Sequence, residues 1–358
     1  MSTYIKYISR EILPSLGMLA VVLTSLVWIT QTLRLAYLLD KGIELKKFLK
    51  FTTLLIPSLL FMILPIITVI TVIYVYNRLQ DERQIVILRS AGLSNFDIAK
   101  PAMLVATITT IIAYYLSAHL MPLSYNNLKQ GLNSFKEHYV SNIIDARTFN
   151  QISKYSTIYI DNKKFDGSLE GVVLFDNKVP ADRTILFAKN GKITSSEQGA
   201  TNFALTDGTR HSYDQSGNLT KLKFDNLIVT IESDQESNNN RTKTSFELYI
   251  QEMLWPDANI SPERQKRLIA DGHARILWPL FNFAFVCLAL SIFLRQPYNR
   301  KSHIKQFIYT FSPLLLVSYI HFSIQKMAYK DIDYIFLCYA NVFLCIIFGI
   351  WQSTKNSL

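Results

Sequence analysis

Residues 51–77 have the sequence FTTLLIPSLLFMILPIITVITVIYVYN, which contains no Asp, Glu, Lys or Arg. A helix needs roughly 20 apolar residues to cross the hydrocarbon core of a bilayer, so this stretch is long enough to span a membrane. Five further stretches are also free of these charged residues and long enough to span, namely 12–33, 101–128, 276–294, 306–325 and 334–354. The sequence therefore predicts a membrane protein with six transmembrane α-helices.

The six predicted helices are arranged as three plus three around a long polar insert. Residues 129–275 contain equal numbers of basic and acidic residues, so the net charge of +10 resides in the membrane part. A nucleic-acid-binding domain is expected to carry its own basic face, so this pattern argues against nucleic acid as a partner. We predict transmembrane helices 1–3 within 1–128, an external domain over 129–260, and a connecting helix followed by transmembrane helices 4–6 within 261–358. Ser261 is predicted to cap the connecting helix.

The distribution of Lys and Arg predicts the orientation of the chain. These residues are more frequent in the short segments on the N-terminal side of the membrane than in those on the other side. The positive-inside rule then places both termini in the cytoplasm and the insert outside. Residues 1–13, MSTYIKYISREIL, place Tyr4, Ile5, Ile8 and Ile12 on one side of a helix. This pattern predicts a short amphipathic helix that lies on the cytoplasmic membrane surface.

The insert has the sequence pattern of a β-domain. It contains short runs rich in β-branched and aromatic residues, such as STIYI (156–160), GVVLF (171–175) and LIVTI (227–231). Turn sequences separate the runs, and KNGK at 189–192 is typical of a hairpin. TDGTR at 206–210 is another of the turn sequences. Short strands with such spacing predict an all-β domain that is either an antiparallel sandwich or a roll.

The sequence lacks the motifs of the common catalytic and metal sites. It contains no G-x-x-x-x-G-K-[ST], H-E-x-x-H or G-x-S-x-G. Its six histidines are scattered without the spacing of metal ligands, and its three cysteines lie in predicted spans. His119 and His321 also fall in predicted spans, near the outer ends, where a neutral imidazole reaches the interface. We therefore predict no catalytic residue, no metal site and no cofactor.

Pro57 and Pro65 interrupt the second predicted span. Each removes a backbone N–H, and neighbouring helices must cover the carbonyl groups that are freed. The two prolines predict either a kinked helix with no further role or a helix that flexes during a transport cycle.

Residues 83–94, RQIVILRSAGLS, form an apolar segment after the second span that is too short to cross a membrane. As a helix, this segment gathers its small and apolar residues on one broad face, which comprises Ile85, Leu88, Ala91 and Gly92 with Val86 and Ile87 beside them. Gly92 is placed to end this helix, and Ser94 is placed to cap the next one. Such an amphipathic helix either lies on the membrane or docks in a groove of another protein.

The chain resembles the permease subunits of the lipopolysaccharide-export ABC transporter, and of the two related subunits it is more similar to the F-type. Three stretches carry the resemblance, namely YIKYISREILPSL, QTLRLAYLLDKGIELKKFLKFTTLLIPSLLFMILPIITVI and ERQIVILRSAGLS. The last of these is similar to the family's coupling helix. The three-plus-three topology around an external β-domain is a fourth shared feature, and the resemblance covers the whole chain. It implies a multi-pass inner-membrane protein whose insert is a periplasmic β-jellyroll.

The resemblance also implies partners and site residues. Such a permease pairs with a homologous second permease on a dimer of a cytoplasmic ABC ATPase, which binds the ATP. Lipopolysaccharide enters through a lateral gate formed by the first span of one subunit and the fifth span of the other, and periplasmic β-jellyroll bridge proteins receive it. The coupling helix is implied to use Glu82, Arg83, Gln84, Ile85, Leu88, Arg89 and Gly92. Family members usually carry an acidic residue where this chain has Gln84, so a charged contact with the ATPase is either missing or supplied by Glu82 or Arg83.

Three basic residues are candidates for contacts with the phosphates of the lipid at the outer interface, namely Arg34, Lys326 and Lys41. Long basic side chains bind phosphate while their stems stay in the apolar region, and the alternative is ordinary contact with bulk lipid headgroups. Two other functions stay open from the sequence. One is a permease for another lipid or lipoprotein, and the other is a non-transporting membrane sensor or scaffold with an external β-domain.

Overall fold

A computed structural model of the chain describes residues 3–40, 43–143, 146–152, 155–164, 168–177, 183–195, 201–213, 219–231, 243–295 and 303–355. The chain forms two units. The membrane unit comprises Met1–Leu35, Thr52–Asn127 and Lys243–Leu358, and the β unit comprises Ala36–Phe51 and Leu128–Thr242. The segment 36–51, which lies between the first two predicted spans, thus belongs to the same unit as the insert.

The helices follow the charge-free stretches of the sequence. In chain order they are α1 (Thr3–Leu35), α2 (Tyr37–Asp40), α3 (Leu45–Thr53), α4 (Ile56–Asp81), α5 (Gln84–Ser90), α6 (Asn95–Tyr115), α7 (Met121–Ile143), α8 (Ile250–Leu254), α9 (Pro262–Leu277), α10 (Leu280–Phe293), α11 (His303–Ala328) and α12 (Ile335–Thr354). A π-turn, Leu116–Leu120, joins α6 to α7, and a 3-10 turn, Ile332–Tyr334, precedes α12. Within the described residues, five helical stretches are long and apolar enough to cross a membrane, and α9 with α10, bent by 51°, makes a sixth if the pair is one span.

Helix α10 lies at the centre of the membrane unit and contacts α4, α6, α11 and α12. Phe281, Phe285 and Leu290 belong to its buried surface. Gly349 of α12 lies against the backbone of Cys287, since a Cβ at Gly349 would be 2.8 Å from the carbonyl carbon of Cys287. A glycine at a helix crossing lets the two backbones approach closely, which is how helices associate in a membrane where burial of apolar surface gives no drive.

The sequence predicted a separate surface helix over residues 1–13, but the N-terminal residues are part of helix α1. Helix α1 is continuous over its 33 residues and contains Pro14. Ile8 and Ile12 are buried in the same apolar cluster as α4, α6 and α10, and Tyr4 packs against that cluster. The sequence therefore predicted the apolar face correctly, but this face contacts the protein's own core rather than the membrane surface.

The two prolines of the second span have different positions in the structure. Pro57 lies in the first turn of α4, where a helix has no use for its N–H, and Pro65 lies inside α4. Pro65 cannot donate to the carbonyl of Phe61 four residues earlier. The indole Nε1 of Trp278 donates to that carbonyl oxygen at 3.2 Å. Trp278 lies at the bend between α9 and α10. A residue at this bend therefore supplies the donor that the carbonyl of Phe61 in α4 has lost.

The β unit contains one antiparallel sheet with the strand order β1-β2-β3-β4-β5-β6. The strands are β1 (Phe149–Gln151), β2 (Ser156–Lys163), β3 (Ser168–Asp176), β4 (Arg183–Ser195), β5 (Thr201–Tyr213) and β6 (Leu219–Ile231). Each strand pairs with its successor in the chain, as in a meander. The predicted β-domain is therefore confirmed, although residues 129–143 of the predicted insert belong to helix α7. The six described strands lie in a single sheet rather than in the two sheets of a sandwich.

The sheet is folded along a row of irregular positions that crosses five strands. The ladder skips one pair per strand interface along this row, which consists of Asp161, Gly171, Lys189, Asp207 and Asp225. Gly171 and Asp207 have positive φ values of 64° and 54°. On β4 the inward positions change from even to odd at the row, since Leu186 and Ala188 are buried before it and Gly191 after it. Both halves of the strands thus face one apolar cluster, as in a roll.

Two of the predicted turns were wrong. KNGK (189–192) lies in the interior of β4 and TDGTR (206–210) in the interior of β5, and the two segments pair with each other across the sheet. Asp207 lies in the fold row, and Asn190-Gly191 directly follows the row position Lys189, so both dipeptides lie at the bend of the sheet instead of at hairpin ends. Glycine within a strand often marks such a bend, which makes this the physical reason for the error.

Candidate coupling helix and gate helices

Helix α5 is confined between two sharp turns of the chain. Arg83, the residue before the helix, has a left-handed backbone with φ 59°. Gly92 follows the helix with φ 86°, and the N–H groups of Gly92 and Leu93 donate to the carbonyls of Arg89 and Leu88 at 2.9 and 3.2 Å. This pair of bonds is a Schellman motif, which requires the conformation that glycine adopts most readily. The predicted end of the helix at Gly92 is confirmed.

Ser94 begins helix α6 as predicted. Its Oγ accepts from the backbone N–H of Asp97 at 3.1 Å, and the Asp97 carboxylate accepts from the backbone N–H of Ser94 at 3.2 Å. The Asp97 carboxylate also pairs with Lys100 at 2.6 Å. This capping box satisfies the free N–H groups of the helix start, so α5 is separated from α6 by a well-defined corner.

The face of α5 that is open to a partner differs from the predicted one. Ile85 is 2% exposed and belongs to the core of the membrane unit, and Leu88 packs against that core. Val86 and Ile87 are 53% and 65% exposed. Arg83 and Ser90 are also exposed. Arg83, Val86, Ile87 and Ser90 follow helical spacing and form one continuous surface, which we call the α5 stripe.

A chain of polar contacts links the start of α5 to α1. Arg78, near the end of α4, pairs with Glu11 of α1 at 3.3 Å and with Glu82 at 3.0 Å. The amide nitrogen of Gln84 donates to the Glu82 carboxylate at 2.6 Å and to the hydroxyl of Tyr7 at 3.3 Å. The side chains of Glu82 and Gln84 are therefore engaged within the chain. The sequence offered Glu82 and Arg83 as alternative sources of a charged contact with the ATPase. Of these two residues, Arg83 lies on the α5 stripe.

Arg89 connects α5 to the central helix. Its guanidinium donates to the carbonyl oxygen of Leu294 at 2.5 Å, directly after the end of α10. The last carbonyls of a helix lack partners within the helix and carry partial negative charge, so a cation is favoured there. Arg89 thus fixes α5 against α10 and is an internal contact of the membrane unit.

The structure places the predicted gate residues on different sides of the bundle. Arg34 ends α1, whose main contacts are with α4 and α6, whereas Lys326 ends α11, whose main contacts are with α10 and α12. Both side chains are exposed. In the most apolar part of each helix, only 11% of the residues of α1 and 17% of those of α11 are buried. Lys41 lies outside the described residues.

The remaining titratable residues form no metal site within the described part of the chain, where no group of three His, Cys, Asp or Glu is suitably placed. His321 is buried with its ring 4.7 Å from that of Phe281, and His119 is exposed in the π-turn. Asp331 accepts from the backbone N–H of Asp333 at 3.4 Å within a short turn.

Sequence analysis missed the contacts that bind α5 to the rest of the unit. Glu11 and Arg78 are too far apart in the chain for their pairing to be visible, and Arg89 was assigned to a partner's surface. A basic residue in the last turn of a predicted helix, as Arg89 is, often binds a carbonyl at a helix end. The sequence could not show that the carbonyl belongs to Leu294 on a distant segment.

The amino-acid sequence of the chain matches a known protein family. The profile described as "Lipopolysaccharide export system permease LptF/LptG" matches residues 6–355. An uncharacterized protein of Rickettsia prowazekii (strain Madrid E), RP871, is 41% identical over 354 residues, which are 98% of each chain. The match covers the helices, the insert and α5 alike.

Proposed function

The chain belongs to the lipopolysaccharide export system permease family LptF/LptG, and from this premise we propose that it extracts lipopolysaccharide from the inner membrane and passes it towards the outer membrane. Energy would come from a separate ATPase that binds the ATP, so this chain itself needs no cofactor. Both termini would lie in the cytoplasm and the β unit in the periplasm. The observation that carries the proposal is the family match over the whole chain, and the open α5 stripe supports it.

The α5 stripe is the proposed docking surface for the ATPase. Val86 and Ile87 are apolar and exposed on the short helix that connects α4 to α6. An exposed apolar face on a helix is typical of a helix that docks in a hydrophobic groove. Arg83 would supply a charged contact with the ATPase, of opposite sign to the acidic contact that Gln84 lacks. Ile85, Leu88 and Arg89 would act behind the stripe by joining it to the core and to α10.

Helices α1 and α11 are the proposed contacts with a homologous second permease. Their apolar faces are mostly exposed within this chain, and they lie on different flanks of the bundle. Pairing α1 of one subunit with α11 of the other would create a lateral gate on each side. Arg34, Lys326 and Lys41 would then bind the phosphates of the lipid at the outer interface.

The β unit is proposed to hand the lipid to periplasmic bridge proteins. In the described sheet, β1 and β6 are the edge strands, and β6 (Leu219–Ile231) is much the longer of the two. An open strand edge pairs readily with a strand of another chain. The edge at β6 is therefore the proposed contact with a bridge protein of similar fold.

The test is co-purification of the ATPase with an Ile87→Glu variant from membranes dissolved in mild detergent. A buried carboxylate at a central interface position is expected to reduce recovery of the ATPase at least about tenfold. Ile87→Leu is the matched control, since it preserves apolar character and approximate volume, and it should retain the ATPase.

Three outcomes would count against the proposal or a part of it. If Ile87→Glu retains the ATPase, the α5 stripe is not the docking surface. If the unaltered chain brings down neither an ATPase nor a second permease, a membrane sensor or scaffold replaces the transporter. If mass spectrometry of the purified complex finds another lipid or a lipoprotein in place of lipopolysaccharide, the substrate is wrong.

A further inference from the structure

The two connections between the membrane helices and the insert run side by side at the end of the bundle opposite α5. The outgoing connection is the π-turn with the start of α7, and the returning connection is the segment 243–254. The rings of Tyr125 and Phe246 stack with centroids 5.3 Å apart. The amide nitrogen of Asn126 donates to the carbonyl oxygen of Glu247 at 2.9 Å. We call residues 116–127 and 243–254 together the neck.

Arg275 of α9 binds both sides of the neck. Its guanidinium donates to the carbonyl oxygens of Leu248 at 2.7 Å and Ser245 at 3.2 Å on the returning segment. It also contacts the sulfur of Met253 at 3.3 Å. On the outgoing side it donates to the carbonyl oxygen of Ser117. One side chain thus joins the two connections.

Arg275 and Ser117 exchange hydrogen bonds where both helices are irregular. Ser117 lies in the π-turn, a wider turn that disturbs the regular ladder of backbone bonds and is often found at functional positions. Pro279 has no N–H to offer the carbonyl of Arg275 four residues earlier. The hydroxyl of Ser117 donates to that carbonyl oxygen at 3.4 Å. The π-turn and the bend between α9 and α10 therefore hold each other through this pair.

Asp271, one turn before Arg275, extends the same contacts to α11. Its carboxylate accepts from the hydroxyl of Ser245 at 2.6 Å and from the hydroxyl of Tyr329 at 2.8 Å. Tyr329 directly follows the end of α11, the helix that carries Lys326. The returning segment is thus attached to the proposed gate helix as well as to the bend.

The burial of Arg275 limits what else it does. The side chain is 7% exposed, so no ligand or lipid reaches the guanidinium in this state. A buried cation is costly unless its donors are satisfied. The two terminal nitrogens of Arg275 donate to carbonyls at fixed angles, as a lysine ammonium cannot, whereas its Nε has no partner among the described residues. The guanidinium donates to backbone carbonyls of two segments, the π-turn and the returning segment, which is suited to holding those segments in a set geometry.

We propose that Arg275 is a positioning residue for the delivery of lipid from the membrane unit to the insert, an inference that rests on the proposed transport function. It fixes the neck to the bend between α9 and α10, and through Asp271 to α11. Movement of these helices during ATP hydrolysis is thereby passed to the neck. Loss of Arg275 leaves the α5 end of the bundle unchanged and separates ATP hydrolysis from lipid delivery.

The experiment uses the complex of this chain with its second permease and ATPase in vesicles that contain lipopolysaccharide. The measured quantity is the lipid delivered to a soluble acceptor per ATP hydrolysed. Arg275→Met is expected to lower this ratio about fivefold or more, which is the scale of a typical coupling between sites. Arg275→Lys keeps the positive charge but not the planar group of several donors. Its ratio is expected to lie between those of Arg275→Met and the unaltered chain. Arg267→Met, at an exposed position of α9, is the matched control and should preserve the ratio.

Ser245→Ala and Asn126→Ala keep the test informative if Arg275→Met does not fold, because each removes one contact of the neck. Smaller decreases of the ratio are expected for both. An unaltered ratio for Arg275→Met overturns the positioning role of Arg275. If that variant does not fold, an unaltered ratio for both Ser245→Ala and Asn126→Ala overturns it. A complex of the unaltered chain that hydrolyses ATP but delivers no lipopolysaccharide overturns the proposed function instead.

Discussion

Helices α10 and α1 are both strongly apolar, but they have opposite surroundings. Nearly every residue of α10 contacts other helices of the membrane unit, whereas the buried residues of α1 are Ile8, Ser9, Ile12 and Thr24. Hydropathy reports only that a segment avoids water, and protein and lipid are equally acceptable alternatives. Burial within the chain, rather than apolar character, therefore separates the helices that build this chain from those left available to a partner.

The most severe test of this difference is Gly349→Leu in α12. A Cβ at this position would lie 2.8 Å from a backbone carbon of α10, and backbone cannot move aside as a side chain can. We expect the free energy of unfolding to fall by about 3 kcal/mol or more. Thermal unfolding of the purified chain in mild detergent measures it.

Gly17→Leu in α1 is the control for Gly349→Leu, since nothing lies within 4 Å of its Cβ position. Little change is expected there. Equal losses from the two variants would break the distinction between the helices.

Leu290→Ala in α10 is expected to have an intermediate effect. Leu290 is fully buried, so the substitution leaves a cavity and should cost about 2 kcal/mol of unfolding free energy. The matched change in α1 is Leu26→Ala, at a residue that is 58% exposed, and it should cost less than about 0.5 kcal/mol. Chemical unfolding monitored by tryptophan fluorescence compares the two, and a larger loss at Leu26 would contradict the assignment of α1 as the open helix.

Trp278→Phe should have the smallest effect of the core substitutions. The ring remains, but the carbonyl of Phe61 that Pro65 has freed loses its donor, which should cost about 1 kcal/mol. Trp255→Phe is the control, because Trp255 is 75% exposed. A shift of the melting temperature for Trp278→Phe that does not exceed the shift for Trp255→Phe would show that the hydrogen bond does not stabilise α4.

Features that depend on local chemistry were predictable from the sequence. The charge-free stretches correspond to the spans, Gly92 ends α5, and Ser94 with Asp97 begins α6. Each of these follows from neighbours within a few residues, where backbone preference and hydrogen-bonding capacity decide the structure. The β-branched runs of the insert likewise became strands.

Features that depend on distant packing were not predictable. Helix α5 is apolar around most of its circumference, so its sequence did not show that Ile85 faces inwards and Ile87 outwards. Asn190-Gly191 and Asp207-Gly208 suit both a hairpin end and a bend within a strand, and pairing with neighbouring strands decides between them. The contacts of Arg275 involve the π-turn and the bend between α9 and α10, and no local sequence pattern predicted either feature.

The fold row of the β unit determines how this domain tolerates changes of length. Each of the five strands has one unpaired position in the ladder, and the five positions are aligned across the sheet. A single deletion at the row, for example of Lys189, would turn half of one strand inside out while its neighbours kept their orientation. Hairpin tips are free to lengthen or shorten during evolution, but the middle of each strand is held at a fixed count of residues by the strands on either side.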